Sequence, residues 1–69
     1  MQLSARNQIR ARVTSINSGE ATANVVLDAG GIRLVASITV EAAKELGLAE
    51  GKEVIAVVKA SDVIVAIPD

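Results

Sequence analysis

"TVEAAKELGL", Thr39 to Leu48, decides the fold, because it is a helix set into a chain that otherwise alternates. Thr39 offers a hydroxyl to the amides of the first turn, and Glu41 sits where the positive end of the helix dipole favours a carboxylate. Lys44 lies near the other end. Gly47 supplies the left-handed residue after the last turn, and Leu48 follows as the apolar contact of such a stop. Val40, Ala43 and Leu46 share a face.

Upstream, apolar residues recur every second position. In "QIRARVTSIN" (8–17), Ile9, Ala11 and Val13 point one way and Arg10, Arg12 and Thr14 the other. The face changes near Ser15 and Ile16, which predicts a bulge or a change of environment. "SGE" (18–20) and the "AGG" of Ala29–Gly31 are turns. Between them "ATANVVLD" alternates through Ala21, Ala23, Val25 and Leu27, and "IRLVASIT" follows with Ile32, Leu34, Ala36 and Ile38 on one face. Downstream, "VIAVVK" (54–59) and "VIVAI" (63–67) are apolar on both faces, separated by the turn "ASD" and ended by Pro68. Three strands, one short helix and two strands make an all-β, five-stranded barrel of the oligonucleotide/oligosaccharide-binding type, one domain over residues 1–69.

The composition says how such a chain stabilises itself. With 69 residues, no aromatic, no cysteine and no histidine, it lacks bulky core residues, disulfides and Cys/His metal sites. A domain this short buries only about 60% of its unfolded surface alone. Yet 51% of its residues are hydrophobic. A homo-oligomer is the remaining way to cover them. The net charge of −1 is not that of a nucleic-acid binder, and stacking aromatics are absent. No apolar run approaches the ~20 residues of a membrane span, and "MQLSARNQ" lacks the apolar core of a secretory signal. The expectation is a cytoplasmic protein with neither nucleic acid nor membrane as partner.

Catalysis is not expected: no histidine or cysteine is present, and no base accompanies the serines. The carboxylates show no calcium-loop spacing and read as solvating charges, so no metal is ligated directly. Two donor-rich places remain. "SARNQ" brings the Ser4 hydroxyl, the Arg6 fork and the Asn7 amide just ahead of the first strand. "KASD" brings Lys59, the Ser61 hydroxyl and a tight turn whose amides can form an anion nest. A tetrahedral oxyanion suits such a set. The plainer reading keeps Arg6 as a solvated charge, Lys59 as a guard on a strand edge, and Ser37 and Thr39 as water-facing.

"SARNQI", "LGLAEGKEV" and "AVVKASDVIVA" together closely resemble the molybdenum-pterin-binding-protein family, the molbindins, a stand-alone form of the Mop (TOBE-like) domain; the resemblance runs from Ser4 to Ala66. It implies a non-enzymatic protein that binds molybdate, and usually tungstate, as the intact anion, with no pterin. It implies hexamers, built as trimers of dimers, with anions held between subunits. Ser4, Ala5 and Arg6 resemble one subunit's contribution to an oxyanion site, and Lys59, Ala60 and Ser61 a neighbour's. Ser37 and Thr39 resemble further contacts of some members, and Asn7 is a contact or a structural hydrogen bonder. Storage or homeostasis of molybdenum is the implied role. The alternative is a regulatory or structural oligomerisation module acting with a molybdate transporter or regulator.

Overall fold

The computed structural model describes residues 6–69. The strands are β1 (Asn7–Ser18), β2 (Thr22–Ala29), β3 (Ile32–Thr39) and β4 (Glu53–Val58), with helix α1 (Val40–Glu45) between β3 and β4. They form one antiparallel sheet in the order β3-β2-β1-β4. Ser4 and Ala5 lie outside the described residues.

The alternation sorts the faces as its period requires. Ala11, Val13, Ala23, Val25 and Leu27 are buried, with Val13 at 1% exposure. Leu34, Ala36, Ile38, Val54 and Ala56 pack against this core half-buried. The expected bulge is present: Val13 pairs with Leu27 and Ile16 with Val25, while Ser15 alone opposes Val26. Thr14 is the extra residue, and its hydroxyl donates to the Val26 carbonyl at 3.1 Å. Gly30 and Gly31 link β2 to β3 with positive φ at both central positions, the twist a two-residue hairpin needs.

Helix α1 starts and stops where its sequence signals lie. The Thr39 hydroxyl oxygen accepts from the Ala42 amide at 3.0 Å. At the other end the Leu48 amide donates to Ala43 O at 3.1 Å and the Gly47 amide to Lys44 O at 3.0 Å, with Gly47 at φ +63°. These are the two bonds of a Schellman stop. Of the expected apolar face, Ala43 is buried and Val40 half-buried, but Leu46 is 60% exposed. As the C-cap residue it stands at the rim of an open slot.

That slot corrects the five-stranded barrel. Residues 63–67 form no strand with any described residue, and the sheet is not closed. The turn Ala60–Asp62 is a single 3₁₀ turn after which the chain does not come back alongside β4. Ile64, Val65 and Ile67 are 92%, 85% and 89% exposed. Between the edge strands β3 and β4 lies an apolar slot of about 470 Å³, floored by Val13, Val25 and Leu27. A segment apolar on both faces pairs stably only where both faces are covered, and one sheet of one chain offers no such place. Ile55 and Val57, expected to be covered on β4's second face, are each 43% exposed.

Candidate functional site

The β1–β4 ladder places the described part of the first donor-rich stretch, from Arg6, and the start of the second, at Lys59, at one end of the sheet. Asn7 is the partner of Val58, and the pairing continues from there through Arg12 and Glu53. Arg6 and Lys59 are the next residues out on the two strands. One chain therefore sets these two cationic residues at adjacent positions just beyond the last ladder pair, although the resemblance assigns them to different subunits. Both are exposed, and neither has an ion-pair partner among the described residues.

The turn after Lys59 adds donors. Its own bonds run from the Asp62 amide to Lys59 O at 2.9 Å and from the Val63 amide to Ala60 O at 3.3 Å. The amides of Ala60 and Ser61 are therefore not used by the turn that contains them. The Ser61 side chain is exposed. Asp62, on the same turn, sets a negative charge nearby that any bound anion must be held away from.

Asn7 ties the two strands together at this end. Its carboxamide Nδ2 donates to Val58 O at 3.2 Å, and the residue is half-buried.

Ser37 and Thr39 lie elsewhere. Ser37 is level with Asn24 and, across β2, with Asn17; Thr39 is level with Thr22. Asn17 is ten residues along β1 from Asn7, about 30 Å at strand rise. Within one chain these hydroxyls are at the far end from Arg6 and Lys59. The Thr39 oxygen is also engaged as the α1 cap.

One charged cleft was not singled out by the sequence. On the outer face, about 590 Å³ of open space is lined by Arg10, Arg12, Asp28, Glu53 and Ile55. The register lines up Arg33, Asp28, Arg12 and Glu53 across all four strands, so signs alternate along the row. Arg12 donates to Glu53 at 3.3 Å. Two guanidiniums and two carboxylates leave this cleft without net charge, unlike the Arg6/Lys59 end. The alternation of β1 marks Arg10 and Arg12 as outward, but their partners appear only with the register.

The TOBE domain family model matches residues 3–65, which spans the whole described sheet and the site. The chain belongs to the TOBE domain family. Among its relatives, molybdenum-pterin-binding protein 2 of Clostridium pasteurianum is 44% identical over 66 residues, 94% of this chain and 97% of that protein. The solved structure of a molybdate binding protein from Sporomusa ovata superposes on this TOBE chain with a TM-score of 0.94 at 39% identity, covering 97% of this chain and 100% of the other. The cytoplasmic molybdate-binding protein ModG, solved with molybdate bound, superposes with a TM-score of 0.84 at 46% identity over 87% of this chain and 43% of its own. These relatives are binding proteins by name, and the mostly-β architecture with one short helix is the one they share. Among the described residues of this TOBE domain no group of three His, Cys, Asp or Glu side chains could hold a metal ion, and no helix is long and apolar enough to cross a membrane.

Proposed function

We propose that this TOBE domain binds molybdate, and tungstate with it, as the intact tetrahedral dianion in the cytoplasm, for molybdenum storage or homeostasis. The observation that carries this reading is the juxtaposition of Arg6 and Lys59 beyond the Asn7–Val58 pair, two cations with no ion-pair partner among the described residues. Hydrogen bonds from guanidinium and ammonium donors to an oxyanion are charge-assisted and roughly twice as strong as neutral ones. Arg6 and Lys59 neutralise the dianion. Ser4, the Ala5 backbone, the Ala60 and Ser61 amides and the Ser61 hydroxyl bond its remaining oxygens. No bond is made or broken, and no pterin is needed. The names of the relatives support the same ligand.

The site is completed by assembly. The Arg6/Lys59 end is open to water in one chain, and the apolar segment 63–67 departs from it. The same chain carries an apolar slot between two free strand edges. A second copy's segment fills that slot in length and polarity, and its edges supply the missing ladder partners. Two-fold exchange brings the same end of two copies together, which puts anion sites at subunit interfaces. A hexamer, as a trimer of dimers, extends this pairing. Ser37 and Thr39 contact anions only across such an interface.

Calorimetric titration of the anion-free protein with molybdate, with sulfate as competitor, tests the reading. Tight binding that sulfate does not displace is expected, with a fractional number of anions per chain where sites lie on symmetry axes. Equal affinity for sulfate and molybdate would remove the specificity, and absence of binding by the intact oligomer would leave an oligomerisation module.

A further inference from the structure

We infer that Asn7 is a positioning residue for the oxyanion site: its side chain fixes the distance between Arg6 and Lys59 without touching the anion. The inference rests on the oxyanion reading above. Asn7 takes an inner-face position of β1, in phase with Ile9, Ala11 and Val13, where an apolar residue would suit the strand. It is half-buried there and donates Nδ2 to Val58 O at 3.2 Å, across 51 residues of sequence. The acceptor is a carbonyl, so the nitrogen of the carboxamide must face it.

The placement matters because of which peptide planes are tied. The Val58 carbonyl belongs to the rigid unit that joins Val58 to Lys59, and the Asn7 backbone nitrogen to the unit that joins Arg6 to Asn7. One side chain therefore links the planes from which both cations depart. Beyond this pair the β1–β4 ladder stops among the described residues, and β4 is followed by the 3₁₀ turn. Without the carboxamide, the last rung would fray as strand ends do, and the separation of the two cations would widen. The Asn7 side chain is a poor direct ligand in this geometry. One N–H is engaged by Val58, and its oxygen is an acceptor that repels an oxyanion.

The test is a titration of four anion-free proteins with molybdate: wild type, Asn7→Ala, Arg6→Lys, and the double variant. Arg6→Lys keeps the charge but loses the fork, so binding stays measurable. Asn7→Ala is expected to weaken binding about five- to tenfold while leaving the circular dichroism and oligomer size unchanged. In the Arg6→Lys background the further loss is expected to fall below about twofold, since a point charge depends less on orientation; such non-additivity is the mark of a residue acting through another. Asn7→Thr, with a strand-favouring side chain too short to bridge, reproduces the loss if the alanine variant does not fold. Unchanged affinity of Asn7→Ala overturns the inference, as does an equal loss in both backgrounds, which would make Asn7 a ligand. If wild type itself does not bind molybdate, the oxyanion reading fails and this inference with it; binding by wild type with an unaffected Asn7→Ala removes the positioning role alone.

Discussion

The ammonium of Lys52 donates to the carbonyl oxygen of Leu46 at 2.7 Å, closing the loop that carries the chain from α1 into β4. The same nitrogen reaches Gly47 O at 3.2 Å. One cation thus serves the carbonyls left over at a helix end, where the dipole favours it. The loop is held from its other side too: the Gly51 amide donates to Val13 O at 2.8 Å, and the Val13 amide to Lys52 O at 2.9 Å.

Lys52→Met keeps the stem and removes the donors. It is expected to lower stability by about 1 kcal/mol, the scale of an exposed charge-assisted bond after solvent screening. Thermal unfolding checks this, with a midpoint about 4–8 °C lower for a domain of this size.

Gly47→Ala acts on the same stop through the backbone. Gly47 is at φ +63°, and a Cβ there would stand 3.4 Å from the Lys52 nitrogen. A loss of about 1 kcal/mol is expected from the left-handed conformation alone. Denaturant unfolding of the single and double variants with Lys52→Met would show coupling if the methyl displaces the ammonium.

Arg6→Ala and Lys59→Ala are each expected to weaken molybdate binding by about 2 kcal/mol, roughly thirtyfold, because each removes charge-assisted bonds from a dianion. Calorimetry gives the numbers. An affinity unchanged in both variants would assign the stretch a structural role only.

Removal of residues 63–69 is expected to dissolve the oligomer. Sedimentation would then report a smaller species with an open apolar slot, and a dye that lights up on apolar surface would bind it. An unchanged sedimentation coefficient would mean that the slot is filled by something else.

Glu53→Gln breaks the Arg12–Glu53 pair, whose side chains are 62% and 77% exposed. Its effect on stability is expected to stay within about 0.5 kcal/mol and to vanish at high salt.

Much of this fold is legible along the chain. Thr39, Glu41, Gly47 and Leu48 mark the helix because capping is local chemistry, decided by a few neighbouring residues. The strands β1 to β3 are legible because one face of each meets the core and the other meets water. "VIVAI" misleads for the same reason that it attracts attention. Apolar residues on both faces say that a segment must be covered, not by which chain. The site shows the same division. Residue types single out Arg6 and Lys59 as candidate donors, but only the Asn7–Val58 register sets them at adjacent positions, and only the β1–β2 and β2–β3 registers send Ser37 and Thr39 to the opposite end. The alternating row from Arg33 to Glu53 is invisible along the chain, since its members sit on four different strands.

The extra residue at Thr14 means that β1 is written in two frames. Odd positions face inward up to Val13, and even ones from Ile16 onward. A one-residue deletion at this point would join the frames into a single register. Ile16 would then stand two positions after Val13, both would still face inward with Ser15 between them facing out, and only the local kink would be lost. β1 therefore has one place, the bulge, where it can lose a residue without moving an apolar side chain to the other face; a one-residue change elsewhere in the strand would exchange the faces of everything beyond it.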